Sequence, residues 1–331
     1  MKKLTFIFIL TLLWYTGSAQ QLPIYSQYLY NKFLINPAHA GSDGYTSVNL
    51  TAREQWVGYS GAPRTYSLSW QTRFLKKSFE IKNKGNRTKY RPKTDGKVGL
   101  GAYVFSDRNG LIQRTGFQTT YAYHMWLDAN TQLSMGLAFT GYHFRINAEE
   151  TSFEDPNEPW LTDNLRKGVF VPDADFGVYL LNRKFDFGLS VQQLFGAAAK
   201  IGDYAYKNFH MDRHFYMFGS YYASLTSKQE LEPSILFKMS EALMPQADLG
   251  ITYIYDQSFW TGLTYRTGGG IIANVRFKYV IKHVEKTSLF FGYAVDFTLN
   301  QIQRVTYGTH ELTLAVKFGD SSRKYRWLDR Y

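Results

Sequence analysis

The sequence predicts an all-β fold: a transmembrane antiparallel β-barrel of about 14 strands, with a short N-terminal helical segment placed to plug the lumen. Three observations carry this. Segments of roughly ten residues with a period of two follow one another from Tyr45 onward, separated by turn chemistry. Aromatics make up 18% of the 331 residues while mean hydropathy is only -0.33, as expected of a chain that shows apolar groups on alternate positions. After the first nineteen residues no apolar run approaches the roughly eighteen residues that a helical span needs. A soluble sandwich would alternate in the same way. The barrel is preferred because strand lengths match a tilted crossing of about nine to eleven residues, aromatics crowd strand ends, and the chain opens with an export leader.

That leader is 1–19, the first of four segments. Lys2 and Lys3 precede an apolar run from Leu4 to Tyr15, and Gly17, Ser18 and Ala19 form a small-residue cleavage site, so the mature chain is expected to begin at Gln20. The sequence has no cysteine, hence neither a diacylglyceryl anchor nor disulfides, which fits a Gram-negative envelope protein and an outer-membrane location. Formal charge is +11. Export argues against nucleic acid as the counterpart, leaving lipopolysaccharide phosphates beside the lipid bilayer, or an acidic protein.

Residues 20–44 form the second segment. Ser26 can cap a helix, and Tyr25, Tyr28, Leu29 and Phe33 recur at spacings of three and four, which predicts a short amphipathic helix ending at Asn36-Pro37. A helix of about ten residues is marginal alone, so Tyr25, Tyr28, Leu29, Phe33, Asn36 and Pro37 are expected to pack in or across the barrel as a partial plug or to bind a partner.

The barrel occupies 45–318, with strands expected at 45–55, 64–74, 97–106, 113–125, 131–146, 173–182, 184–194, 213–224, 229–240, 245–255, 258–267, 270–280, 287–297 and 308–318. In the second, Tyr66, Leu68, Trp70 and Phe74 alternate with Thr65, Ser67, Ser69, Gln71 and Arg73. With both termini periplasmic, the connections after odd strands face outward. They include the aromatic loop with Trp56, Tyr59 and Pro63 and the long loops 147–172 and 195–212. One long connection, 76–96, falls on the periplasmic side and holds eight Lys or Arg against two acids, among them Lys82, Lys84, Arg87, Lys89, Arg91 and Lys93. It is either a solvated loop or an electrostatic dock for a periplasmic partner. A basic tail, 319–331, ends the chain.

The inward face carries Gly99, Gly101, Gly136, Gly177, Gly188, Gly250, Gly262 and Gly292. Strand glycines often mark close approach by another group, so the lumen either contains something or eases its curvature and accommodates inward Tyr103, Trp260 and Phe290. Inward charges are mixed, with Arg53, Arg73, Lys238, Arg276 and Lys317 beside Asp186, Asp248, Asp296 and Glu311, which favours paired networks over an ion-selective pore.

Little points to catalysis, and no cofactor or metal is expected. Seven histidines include no H-E-x-x-H, and no G-x-S-x-G elbow occurs. His210 and His214 could ligate a metal from one strand face, but a junction pair is preferred. His310 and Glu311 face opposite sides and form no dyad. The acids between Glu149 and Asp163 lack EF-hand spacing.

Five stretches then carry a family resemblance: QLPIYSQYLYNKFLINPAHAGS from Gln21, QWVGYSGAPRT from Gln55, PDADFGVYLLNRKFDFGLSVQQL from Pro172, LEPSILFK with PQADLGITYIYDQSFWTGLTYR, and GTHELTLAVKFG from Gly308. Together they resemble the PorP/SprF family of type IX secretion system outer-membrane proteins of Bacteroidetes. The resemblance implies a non-enzymatic barrel that either links the translocon to the periplasmic ring or helps secrete and anchor a large surface protein, such as a gliding-motility adhesin, by binding its C-terminal region. Segments 76–96, 147–172 and the tail lie outside these stretches. A porin-like diffusion channel and an outer-membrane hydrolase are the alternatives.

Overall fold

A computed structural model describes residues 25–74, 79–81, 89–91, 97–128, 130–146, 168–196, 212–242, 244–281 and 287–318. Fourteen strands run in chain order around one closed sheet. They are β1 Thr46–Glu54, β2 Arg64–Phe74, β3 Val98–Asn109, β4 Ile112–Trp126, β5 Thr131–Ile146, β6 Val169–Asn182 and β7 Phe185–Gln192. The circuit continues with β8 His214–Tyr221, β9 Gln229–Ser240, β10 Pro245–Tyr255, β11 Phe259–Arg266, β12 Gly270–Ile281, β13 Thr287–Thr298 and β14 Thr309–Phe318. Each pairs antiparallel with its neighbours, and β14 returns to β1 in the register Thr46↔Phe318 to Glu54↔His310. Closure matters because an open edge in hydrocarbon would leave a row of backbone groups unpaired.

Burial is inverted relative to a soluble protein. In β2, Thr65, Ser67, Ser69, Gln71 and Arg73 are at most 7% exposed, whereas Tyr66, Leu68, Trp70 and Phe74 are at least 40% exposed. Lipid, not water, is the outer solvent. A cation on that face would cost about 2–4 kcal/mol at mid-bilayer, which explains why the polar positions turn inward.

Strand ends differ from the periodicity in places. β3 and β4 run on to a tight turn at Gly110, and β6 begins at Val169 instead of 173. β8 stops at Tyr221, and only Ala223–Ser224 resumes pairing with β9. A 3₁₀ turn, Gln301–Val305, sits between β13 and β14. The two ends of the strand array share one mouth with the tight connections 127–130, 183–184, 225–228 and 256–258, so this is the periplasmic mouth. In the first of these turns Asp128 accepts from the Asn130 N–H at 2.6 Å, which holds its carboxyl below the usual range.

Segment 76–96 leaves from the same mouth. Its described part is a small hairpin, Phe79–Ile81 paired with Lys89–Arg91; Lys82, Lys84, Arg87 and Lys93 lie outside the described residues. The leader, the acidic loop, His210 and the tail also lie outside them.

Candidate functional site

Residues 25–44 lie inside the barrel and fill it. The expected continuous helix is not there: the segment is helical only as two 3₁₀ turns, Lys32–Leu34 and Pro37–His39, preceded by a turn from the Tyr30 N–H to the Gln27 carbonyl. The segment's carbonyls bond the wall: those of Leu34, Ile35, Ala40, Gly41 and Ser42 accept from Gln192, Ser190, His124 and Arg73. Ser26 therefore caps nothing. Its hydroxyl donates to Asp296 at 2.7 Å and accepts from Arg53.

The wall and the segment recognise each other at every level. Near the outer mouth the Ser26 and Gln27 N–H groups donate to Glu311 at 2.7 and 2.9 Å, while Arg53 bridges Asp296 and Glu311. Lower down, Lys32 pairs with Asp186 at 2.5 Å, and the Ser220 and Tyr222 hydroxyls donate to the same carboxylate oxygen. Asn36 donates to the Val178 and Leu189 carbonyls at 3.0 and 3.1 Å and accepts from its own Ala38 N–H, which fixes the turn at Pro37. At the periplasmic mouth Lys317 pairs with Asp43 at 2.9 Å, and Arg73 clamps Gly41, Ser42 and Gln132. A buried cation that loses its partner is costly, so these contacts fix the register of the segment.

Apolar side chains fill what remains. Tyr28 packs with Ile35, Ala38, Tyr179 and Phe218, and Leu29 lies partly buried against them. Phe33 is wholly buried between Ala40, Ala122 and Tyr103. Tyr30 reaches the opposite wall, where the Arg276 guanidinium lies 4.5 Å from its ring and 4.2 Å from that of Phe290.

The eight inward glycines fall into two groups. A Cβ at Gly99 would overlap the Ala40 carbonyl, at Gly101 the Phe33 ring, at Gly136 the Pro37–Ala38 backbone, at Gly177 the Asn36 amide and at Gly292 the Gln27 amide. Gly188 instead makes room for Phe218, and Gly250 and Gly262 for hydroxyls of neighbouring strands. Five thus face the segment and three face the wall. Tyr25 lines the small space left between segment and wall, a pocket of about 50 Å³.

Above the segment opens an outer vestibule of about 670 Å³, with Arg53, Asp107, Arg266 and Asp296 among its lining. Trp56 and Pro63 also line it, whereas Tyr59, 54% exposed, stands at the loop tip. The inward charges meet mostly as ion pairs, Arg266 with Asp248 at 2.7 Å among them; Lys238 lies 6.0 Å from the Tyr216 ring. Two partners, Lys32 and Asp43, were missed by the periodicity. The available signal was a lysine inside an apolar stripe, where a cation needs a buried acid.

Two histidines of the lumen wall hydrogen-bond within the fold. His124 donates to the Ala40 carbonyl and bonds Ser134; His214 bonds Gln193 at 3.0 Å. His310 points outward to the Tyr293 hydroxyl, while Glu311 points inward. Among the described residues no cluster of His, Asp and Glu forms a metal-ligand group.

Among solved structures, the chain is similar to the Ralstonia pickettii toluene transporter TbuX, at 12% identity and a TM-score of 0.47, over 86% of this chain and 92% of that one. It is similar to the CymD monoaromatic hydrocarbon channel at 12% identity and a TM-score of 0.47, over 92% and 96%. For a Pseudomonas aeruginosa FadL homologue the values are 8% and 0.44, over 85% and 91%. No curated protein matches significantly. The family model described as type IX secretion system membrane protein PorP/SprF matches residues 17–316, nearly the whole chain. The chain therefore belongs to the PorP/SprF family, and its barrel is an outer-membrane component of type IX secretion.

Proposed function

We propose that this barrel is a non-conducting accessory of type IX secretion, exported by its leader, that helps secrete a large surface protein and anchors it by binding its C-terminal region. The observation that carries the reading is the lumen. A diffusion channel needs an open path, and here five wall glycines and the pairs Lys32–Asp186 and Lys317–Asp43 are matched to residues of the chain's own N-terminal segment. A barrel built around a fixed internal peptide offers a partner its mouths and loops. The outer vestibule, with Trp56 and Pro63 at its rim, is suited to a polypeptide at the cell surface.

The reading is non-enzymatic, with no cofactor or metal; of the lumenal histidines, His124 bonds the Ala40 carbonyl and His214 bonds Gln193. Lipopolysaccharide at the outward band and a ring component at the basic link are the further partners proposed. Deleting the gene and measuring display of a large co-expressed surface protein on whole cells tests the role. Loss of retention or of secretion is expected; unchanged display of all such proteins would sink it.

A further inference from the structure

Lys238 stands apart from the ion pairs of the lumen. Lys32, Arg53, Arg266 and Lys317 each meet a carboxylate. Lys238, near the outer end of β9, is only 7% exposed, yet among the described residues its ammonium has neither a hydrogen-bond acceptor nor an acid within ion-pairing distance. Asp248, on the neighbouring strand, is committed elsewhere: Arg266 donates to both of its oxygens, at 2.9 and 2.7 Å. An ammonium taken out of water without a counter-charge is costly, so its surroundings decide what balances it.

Lys238 lines a cavity of about 10 Å³ between the N-terminal segment and the wall, with Tyr25 and Tyr28 on the segment and Tyr216, Gln246 and Asp248 on the wall. Its ammonium stands 6.0 Å from the ring of Tyr216. A cavity of that size has room for about one water-sized particle and is too small for a phosphate or a carboxylate. A water molecule would give the ammonium an acceptor but no counter-charge; a monatomic anion gives both. The Gln246 side-chain amide, whose NH₂ can donate to an anion, lines the outer vestibule as well, as does Arg266. The cavity therefore adjoins the vestibule and can be filled from the cell-surface side.

We propose that Lys238 holds a monovalent anion of halide size, such as chloride, in the cavity between the N-terminal segment and strands β8 to β10. The anion neutralises a buried cation that the wall leaves without an acid. It also ties the wall to the Tyr25–Tyr28 stretch of the segment, so the filling of the lumen tightens with halide.

Full-length protein in detergent micelles is melted in chloride, bromide and gluconate at one ionic strength, gluconate being too large for the cavity. Chloride and bromide are expected to raise the midpoint saturably, by about 5 °C at a hundredfold excess over Kd, and gluconate is not. Lys238→Met keeps an unbranched side chain and removes the charge. Folded, as judged by the faster gel migration of unheated barrels, that variant should melt at one temperature in all three salts. Crystals of the unaltered protein grown in bromide decide the case in which the variant does not fold: an anomalous peak in contact with Lys238 Nζ is expected. No bromide peak there, or a halide response that folded Lys238→Met retains in full, overturns the proposal. Both measurements are independent of the secretion role.

Discussion

From β3 to β6 the lumen wall presents Gly99, Gly101, Ala122, Gly136 and Gly177 to the N-terminal segment, whereas from β10 to β13 it presents Ile254, Trp260, Ile272 and Phe290 and fills its own space. The first arc has given up side-chain volume, and Phe33, Asn36, Pro37 and Ala40 occupy what it gave up. The second arc meets the segment through Tyr30 and, at its far edge, through Asp296 on the Ser26 hydroxyl and Gly292 against Gln27. A strand glycine thus has two meanings in one barrel. Gly136 makes room for another part of the chain, while Gly250 makes room for the Ser234 and Thr264 hydroxyls beside it.

The sharpest way to break this contrast is to remove a charge that the segment depends on. Asp186→Ala leaves Lys32 buried without its acid and is expected to cost about 3–5 kcal/mol in denaturant unfolding from detergent micelles. Adding Lys32→Met should recover most of that loss; no recovery would mean the pair does not act as a unit. Next in size is the glycine test. Gly136→Val drives a branched side chain into the Pro37–Ala38 backbone and should cost about 3 kcal/mol, or expel the segment and open a conducting path.

Asn36→Ala should cost about 2 kcal/mol, since it leaves the Val178 and Leu189 carbonyls and the Ala38 N–H without their partner. Gly250→Ala should cost under about 1 kcal/mol, because the hydroxyls it meets belong to side chains that can rotate. Equal costs for Gly136→Val and Gly250→Ala would erase the distinction between the arcs.

Much of the barrel was legible because lipid imposes a two-residue period on nearly every strand. Leu68 and Trp70 outside, with Ser67 and Ser69 inside, need no tertiary information. Strand ends were less legible: β3 and β4 extend to Gly110 through residues whose alternation weakens there, and β8 breaks at Tyr222, whose hydroxyl turns in to Asp186. The N-terminal segment was readable as something that must pack, from Tyr28 and Phe33, but not as to shape. Its carbonyls meet wall donors on strands more than a hundred residues away, Ser190 and Gln192 among them, and no local pattern records those. The inward acids and bases were legible singly. Their pairing was not, because Lys32 and Asp43 come from outside the strands.

A barrel filled by its own residues 25–44 is closed to diffusion. Conductance of the purified protein in planar bilayers, beside a variant lacking 25–42, tests it most directly. No steady open pore is expected for the intact chain and a large one for the variant. A large, steady conductance from the intact, folded protein would contradict it.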